Sequence, residues 1–407
     1  MNQIVPPAPQ MSERRTAMLG AALVAIGPIS MALYTPAMPT LTAVFDTSPA
    51  VIKLTLTTYF AGFAMTQLLC GPLTDAFVRR PVTLAFLPLY LGATIVATFA
   101  PTVDWLIGTR LFQGVGTAVG MATSRAIVHD QYIGQASSRI LNAVGMMLAV
   151  GPAISPTIGG ITLTLFGWQE IFYFMIIYGG TLAVAVYTLL PETNAHPDRS
   201  RDHPRRLISS YATLSVTPAF MQPSLFIDLS LGTLYTIAAL IPFMMIEHVG
   251  LTPAQFGLGM MLQSGSYFFD TIVTSRLLRR HSAESLIPWS IVGVVAGMAL
   301  LSFNLFQMDL SYLKVMAPIA LFVFSLAFVI PATTTRALAA FARMAGSATS
   351  MMGFIQFDSS FVGSILAASL NDPILAMATV APGLPVLGIL AYALLGRTPR
   401  TPPTARI

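Results

Sequence analysis

Long apolar runs separated by short polar loops cover most of the chain. A helix needs about 20 mostly apolar residues to cross the hydrocarbon core of a bilayer. Twelve runs have that character, near 17–39, 51–74, 82–100, 104–126, 139–164, 168–190, 219–247, 254–277, 285–305, 313–335, 346–370 and 374–396. Overall 55% of the residues are hydrophobic and 9% are charged. This pattern predicts an all-α membrane protein with twelve transmembrane helices.

The longest polar stretch divides these runs into two groups of six. It reads PETNAHPDRSRDHPRR, residues 191–206, and is rich in proline and charge, as a cytoplasmic linker should be. Arginine pairs ending at Arg80 and Arg280 follow the second and the eighth run, which favours two equivalent six-helix halves. We predict a cytoplasmic leader at 1–16, a six-helix bundle at 17–190, a cytoplasmic linker at 191–214, a second six-helix bundle at 215–396 and a cytoplasmic tail at 397–407.

The basic residues indicate how the spans are oriented. With both termini in the cytoplasm, most arginines fall inside or at the inner interface, while Lys53 and Lys314 fall outside. Cytoplasmic loops retain basic residues, so we predict this orientation. Arg110 fits neither side and must lie within the bilayer. The net charge of +5 therefore reflects topology, and no nucleic-acid partner is needed to explain it. The first run is longer than a signal-peptide core, and we take it as an uncleaved span.

Cysteine and histidine usage gives no sign of a metal or redox centre. Cys70 is the single cysteine, and the five histidines fall at helix ends or in loops. We therefore expect no cofactor and no metal. An enzyme would need a nucleophile and a base, or metal ligands, at membrane depth, and the sequence offers no histidine there. A receptor or scaffold would not require buried acids on cavity faces, so a transporter is the favoured class.

Three stretches combine small, proline and charged residues. GPLTDAFVRRP covers 71–81, RLFQGVGTA covers 110–118 and GMMLAVGPAISPTIGG covers 145–160. They resemble signatures of the major facilitator superfamily in the loop after span 2, in span 4 and, for antiporters, in span 5. The first stretch matches at Gly71, Asp75, Arg79 and Arg80. It departs at Val78, where the signature has a second glycine.

Shorter stretches resemble one branch of that superfamily, the bicyclomycin-resistance branch of drug/proton antiporters. They are YTPAMP, RAIVHD, FGWQEIFYF, LLPET, LTPAQFGL and GSATSMMGFIQF. The resemblance extends over about residues 17–395. It implies two six-helix bundles around a central cavity that opens alternately to each side, with substrate leaving as protons enter.

Two of the motifs also predict conformational roles on physical grounds. Asp75 lies where span 2 ends and span 11 begins, so it could accept hydrogen bonds from free N–H groups near Ser347 and hold the cytoplasmic side shut. An ordinary inner-loop turn is the alternative. In span 5, small residues allow close packing and prolines interrupt helix hydrogen bonding, so a bend there could let the halves rock. The residues concerned are Gly145, Gly151, Pro152, Pro156, Gly159 and Gly160.

Four ionisable residues within the predicted spans are candidates for the site: Arg110, Asp228, Asp270 and Asp358. Such groups cost several kcal/mol at mid-bilayer depth and generally face a bundle interior or a wet cavity. Arg110 shares one helical face with Gln113, Thr117 and Ser124, a polar stripe in an apolar helix. We expect this face to line the cavity. A structural arginine satisfied by backbone carbonyls is the alternative.

Two aspartates of the second half show a similar pattern. One face of span 8 carries Gln263, Tyr267, Asp270 and Thr274. We expect this face to line the cavity, the alternative being that Asp270 lies near the inner interface and pairs with a loop arginine such as Arg276. In span 7, Asp228 shares its face with Ser224 and Tyr235, and its place close to the inner end leaves an interfacial location open.

Asp358 has a different environment in span 11. A face of small residues suited to helix packing comprises Gly353, Gln356, Ser360, Gly363, Ser364 and Ala367. The face of Asp358 itself carries Met351, Phe354, Ile355, Phe361, Val362 and Ile365. A carboxylate among apolar groups loses hydration, which favours taking up a proton near neutral pH. A permanent pair with Arg110, or a bond to another polar group, is the alternative.

One departure from the resembled branch bears on proton coupling. The first span there usually has an acid two residues before the tyrosine of the YTPAMP stretch, and this acid is thought to take part in coupling. Here that position is Ala32, beside Tyr34. Either coupling has moved to Asp358, Asp270 or Asp228, or the protein is not proton-coupled in the usual way. We predict Asp358 as the principal protonation site, Asp270 as second candidate and Arg110 as the opposing charge.

Together these features predict a multi-pass transporter of the bacterial inner membrane that exports small amphipathic, drug-like compounds by alternating access in exchange for protons. An exporter of a specific metabolite, such as a sugar, a peptide-like product or a siderophore, is the alternative, and it need not be proton-coupled. We expect a monomer in the lipid bilayer, with a small-molecule substrate and protons as partners. Predicted cavity residues are Tyr34, Tyr59, Arg110, Gln113, Thr117, Tyr235, Gln263, Tyr267, Asp270, Phe354, Asp358 and Phe361.

Overall fold

The computed structural model describes residues 9–76, 78–132, 134–194, 204–307, 309–326, 328–339, 341, 344–370 and 372–396. All regular structure in these ranges is helical. The first half contains α1 (Glu13–Tyr34), α2 (Met38–Val44), α3 (Pro49–Ala76), α4 (Arg79–Thr98), α5 (Val103–Gln131), α6 (Gly134–Leu165) and α7 (Gln169–Leu189).

A linker helix, α8 (Pro204–Val216), precedes the second half. The second half contains α9 (Pro218–Phe243), α10 (Pro253–Leu277), α11 (Ile287–Leu305), α12 (Tyr312–Leu326), α13 (Ile330–Ala339), α14 (Ala345–Ser369) and α15 (Pro373–Leu395). The helix α8 was not predicted. It begins in the stretch that we assigned to the linker and ends two residues beyond it.

Polar residues set the starts of several helices. The hydroxyl of Ser12 accepts from the backbone N–H of Arg15 at the start of α1. Thr252 and Gln255 form a reciprocal capping box at α10, and Asp372 accepts two backbone N–H groups at α15. Such side chains satisfy N–H groups that have no partner within the helix. Each of the LTPAQFGL and NDP stretches therefore encodes a helix start.

Every predicted span coincides with helical structure, the tenth being divided into α12 and α13. In the described part, eight segments are long and apolar enough to cross a membrane on their own. The helices α3, α5 and α10 are as long but carry more polar residues. Two of these more polar helices, α5 and α10, contain Arg110 and Asp270. The polar residues within the spans therefore include those of the predicted site.

Helix packing follows two bundles. In the first half α1 packs on α5 and α6, α5 on α3 and α4, and α4 on α7. In the second half α9 packs on α14 and α15, and α11 on α12 and α15. The halves meet where α3 packs on α14 and where α6 packs on α10. We call the end of the molecule at which α1 begins and α15 ends the terminal end; from the basic residues we predict that it lies in the cytoplasm.

Candidate functional site

Arg110 is completely buried in the first half, between two tyrosine rings. Its Cζ atom lies 4.3 Å from the ring centroid of Tyr34 and 4.6 Å from that of Tyr59. Its Nη1 donates to Oε1 of Gln113 at 2.8 Å, and Nε2 of Gln113 donates to Oγ1 of Thr94 at 2.8 Å. We call Tyr34, Tyr59, Arg110 and Gln113 the arginine cage. Cation–π contacts stabilise a desolvated guanidinium.

The charge in the arginine cage is only partly satisfied. Within the described residues, Nε and Nη2 of Arg110 have no hydrogen-bond partner, and the guanidinium forms no ion pair. A buried charge without a counter-ion is costly. In the described part of the chain, the guanidinium of Arg110 therefore contacts two tyrosine rings and Gln113 and none of the predicted acids.

The other predicted residues of this face surround the cage. Oη of Tyr59 donates to the carbonyl of Gly27 at 2.9 Å and is hydrogen-bonded to Oγ1 of Thr117 at 3.0 Å. Oη of Tyr34 is hydrogen-bonded to Thr55 at 2.7 Å. The structure thus brings Tyr34, Tyr59, Gln113 and Thr117 together around Arg110. All are buried, so in this conformation they pack inside the first half and line no open surface.

Asp228 is buried where α9 meets α14, not at an interface with water. The residue is 2% exposed, and its Oδ2 atom has no hydrogen-bond partner among the described residues. Oγ of Ser359 donates to its backbone carbonyl at 3.2 Å. Oγ of Ser224, predicted on the same face, also has no partner there. A buried carboxyl with an unsatisfied oxygen is costly to keep.

Asp270 and Asp358 occupy different environments. Asp270 is 0% exposed and accepts from Oγ1 of Thr274, one turn along α10, at 3.0 Å. Asp358 is only half-buried and makes no hydrogen bond or ion pair within the described ranges. Gln263 is also half-buried. The structure therefore separates an occluded pair of acids, Asp228 and Asp270, from a more accessible one.

An aromatic cluster joins the two halves. The ring of Phe357 on α14 lies 4.1 Å from that of Phe63 on α3 and 5.1 Å from that of Tyr235 on α9, centroid to centroid. Phe60 completes the cluster at 5.6 Å from Tyr235. Tyr235 was predicted as a cavity residue, whereas Phe357 was missed. We call Phe60, Phe63, Tyr235 and Phe357 the aromatic bridge.

The helical spacing of α14 could have identified Phe357, because it lies on the small-residue face. Phe357 follows Gly353 by four residues and precedes Ser360 by three, which places all three on one face. A Cβ atom at Gly353 would lie 3.0 Å from Nε2 of Gln67 on α3, and one at Gly363 would lie 2.4 Å from Oγ1 of Thr236 on α9. This confirms that the small face packs against neighbouring helices. The predicted Phe354 and Phe361 are partly buried beside the same core.

A charged network ties the loops together at the terminal end. Nε of Arg79 pairs with Oδ2 of Asp130 at the end of α5, at 3.1 Å. The two carboxylate oxygens of Glu192 accept from the backbone N–H groups of Arg79 and Arg80, at 2.9 and 3.1 Å. These N–H groups begin α4 and have no partner within the helix, and a carboxylate there also favours the helix dipole. Asp130 and Glu192 were missed, although they lie in the quoted RAIVHD and LLPET stretches.

The halves approach closely at the terminal end, where α3 meets α14. A Cβ atom at Gly71 would lie 2.3 Å from Oγ of Ser350 and 3.5 Å from the carbonyl of Gly346. Only glycine therefore fits this position without movement. The side chain of Asp75 lies outside the described residues, and so does its predicted contact near Ser347.

The predicted motif of α6 forms the contact between the halves at the opposite end. A Cβ atom at Gly159 would lie 2.2 Å from the carbonyl of Leu33 on α1, and one at Gly160 would lie 2.2 Å from the carbonyl of Pro253 on α10. Oγ1 of Thr157 donates to the carbonyl of Gly257 on α10 at 2.9 Å. Consecutive glycines thus let α6 pack against both halves at once.

The remaining positions of the α6 motif differ in their surroundings. A Cβ atom at Gly151 would lie 3.1 Å from the side chain of Ile29 on α1, whereas nothing lies within 4 Å of one at Gly145. Pro152 and Pro156 both lie inside the helix. The carbonyl of Pro156 contacts the α10 glycine, 2.4 Å from a Cβ built at Gly257. The packing role of the motif is therefore concentrated between Gly151 and Gly160.

Comparison with known proteins agrees with this architecture. A profile of the Major Facilitator Superfamily matches residues 20–368. Multidrug resistance protein D of Escherichia coli (strain K12) is 26% identical, covering 86% of this chain and 86% of its own length. The bicyclomycin resistance protein homolog of Haemophilus influenzae is 25% identical, covering 90% of this chain and 92% of its own.

Solved structures show the same fold. The crystal structure of a D-xylose-proton symporter covers 94% of this chain and 97% of its own, with a TM-score of 0.73 at 12% sequence identity. The predicted fold class, an all-α membrane protein with the major facilitator fold, is confirmed. With both sequence and fold in agreement, the chain belongs to the Major Facilitator Superfamily and is a secondary transporter, not an enzyme.

Proposed function

We propose that this transporter exports small amphipathic, drug-like compounds from the bacterial cytoplasm across the inner membrane in exchange for protons. The observation that carries the proposal is the burial of Arg110 and Asp228 inside membrane-spanning helices, each with an atom that has no hydrogen-bond partner among the described residues. Such groups are expensive to keep and mark ion or substrate pathways. The relatives named for drug resistance support the direction and the substrate class.

The three acids would divide the work of proton transfer by their accessibility. A proton carrier must alternate between a state that exchanges protons with water and a state that is sealed from it. Asp358 is half-buried, whereas Asp228 and Asp270 are occluded. We propose Asp358 as the site at which protons enter or leave, with the buried acids as holding sites. Arg110 would act as the opposing charge that a rearranged cavity brings toward them.

Two of the contacts between the halves, one at each end of the molecule, would act as alternating gates. The Gly71–Ser350 contact holds α3 against α14 at the terminal end, and the Thr157–Gly257 contact holds α6 against α10 at the opposite end. Releasing one while keeping the other would open the space between the bundles to one side. Cavity residues now packed together, such as Tyr59 and Tyr235, would then offer adaptable aromatic surface to an amphipathic molecule.

The test is transport driven by a pH gradient in proteoliposomes. We expect Asp358→Asn to abolish gradient-driven export while leaving substrate exchange at equal pH, because the variant still alternates but carries no proton. Asp372→Asn, which changes an exposed helix cap, is the matched control and should retain gradient-driven export. Unchanged gradient-driven export by the Asp358→Asn protein would refute Asp358 as the proton site.

A second candidate is export of a specific metabolite without proton coupling. The arginine cage favours it, because two unpartnered guanidinium nitrogens would suit a substrate that carries its own negative charge. A growth panel in a pump-deficient strain separates the two candidates. Resistance to several unrelated compounds supports the first, and export of one anionic compound that is lost in Arg110→Gln supports the second.

A further inference from the structure

A groove of about 490 Å³ opens on the outer face of the second half, between α11 and α12. Its walls are apolar and include Trp289, Val292, Phe324 and Phe328. Trp289 and Val292 are 72% and 62% exposed, and they belong to a segment apolar and long enough to cross a membrane. The groove therefore faces the hydrocarbon of the bilayer.

The mouth of the groove lies at the terminal end and is lined by Leu277, His281 and Ser285. Arg279 and Arg280 occupy the turn between the first two of these residues and are both exposed. The turn is closed by backbone hydrogen bonds from residues 280 and 281 to the carbonyl of Leu277, at 2.9 and 2.8 Å. Two exposed arginines thus lie in the turn beside the mouth of the groove.

The arginine pair of the first half shows what distinguishes this turn. There Arg79 pairs with Asp130, and Arg80 donates to the carbonyl of Tyr187 at 2.6 Å. Within the described residues, the side chains of Arg279 and Arg280 have no hydrogen bond or ion pair. In the first half both arginine side chains of this position are therefore held by protein atoms, whereas in the second half both are open to an outside anion.

We propose that the groove binds an anionic phospholipid, with an acyl chain between α11 and α12 and the phosphate at Arg279 and Arg280. Basic pockets between membrane helices on the cytoplasmic side bind anionic headgroups. Arginine binds phosphate through charge-assisted, often bidentate hydrogen bonds. The apolar walls can bury an acyl chain, whereas a free phosphate ion has no apolar part to place there. Glu284, the one acid between residues 276 and 286, leaves this turn with a net positive charge.

The test is native mass spectrometry of the purified full-length protein with phosphatidylglycerol and phosphatidylcholine added at equal concentration. We expect the wild type to retain phosphatidylglycerol preferentially. The preference should fall about fivefold for each arginine removed in the double variant Arg279→Gln/Arg280→Gln, as for basic residues at an anionic membrane surface. The matched control, Arg14→Gln/Arg139→Gln, removes the same charge from exposed positions at the same end and should keep the preference.

Two further arms test the groove and the source of the phosphate. Val292→Trp, at an exposed position on the groove wall, should reduce retention of both lipids because it fills the acyl site. Inorganic phosphate at millimolar concentration should not displace phosphatidylglycerol. The ratios of lipid-bound to lipid-free protein and of one bound lipid to the other are measured within one sample. A lower yield of folded protein therefore does not change them. Equal retention of the two lipids by the wild type, an equal loss in both double variants, or displacement by phosphate would overturn the proposal.

Discussion

A single methyl group added at Gly71 is expected to open the terminal end of the molecule. In Gly71→Ala the new Cβ would lie 2.3 Å from Oγ of Ser350, while the next contacts, at 3.5 and 3.6 Å, are ordinary. Overpacking typically costs about 1–3 kcal/mol. Because the Ser350 hydroxyl can rotate away from the new methyl group, we expect the low end of this range. Separating α3 from α14, which belong to different halves, also relieves the clash, so the closed terminal end should lose about fivefold in population relative to the open one.

The chain contains its own reporter for this change. Cys70 is the single cysteine, is 0% exposed and precedes Gly71 directly. We expect its rate of alkylation by a membrane-impermeant maleimide, applied from the terminal side, to rise about fivefold in Gly71→Ala, in proportion to the population shift.

Ser350→Ala supplies the decisive control, since it removes the atom that the new methyl group meets. Alone it should leave the alkylation rate near that of the wild type. Combined with Gly71→Ala it should restore the slow rate, because the pair interacts directly and its effects are not additive. If Gly71→Ala left alkylation unchanged, or if Ser350→Ala failed to restore it, the assignment of this contact as the gate would be wrong.

Three further predictions follow from the packing. Asp130→Asn should lower stability by about 1.5–3 kcal/mol, because it removes the charge partner of a buried arginine, whereas Glu13→Gln at an exposed ion pair should cost less than about 1 kcal/mol; thermal unfolding in detergent measures both. Thr157→Val deletes a hydrogen bond between the halves worth about 0.5–1.5 kcal/mol. With Cys70 replaced by serine and a cysteine introduced at the buried Ser155, alkylation from the side opposite the terminal end should increase in this variant. Phe357→Ala should cost about 3–5 kcal/mol and Phe354→Ala clearly less, since only the first ring lies at the centre of the aromatic bridge; equal losses would contradict that placement.

Helical periodicity predicted which residues share one face of a helix. It did not predict which residues of other helices that face contacts. It grouped Gln113 and Thr117 with Arg110, and the structure brings them together. It could not show that the stripe is sealed against Tyr34 and Tyr59, because those rings come from other helices. For α14 the small face was predicted to pack, but Phe357 on that face was missed, because its partners Phe63 and Tyr235 lie on helices distant in the chain.

What the sequence by itself determined is the all-helical fold class and the approximate bounds of the helices, because each helix needs only a local apolar run. The direction of the spans stays a prediction from the charge bias of the loops. The sequence also determined that ionisable groups lie inside apolar helices, since Arg110 and Asp228 occur within such runs. The tertiary structure alone decided their partners. Whether a buried charge meets a carboxylate, a ring or water depends on contacts between helices distant in the chain. For that reason Arg110 is held by tyrosines, and Arg79 by Asp130.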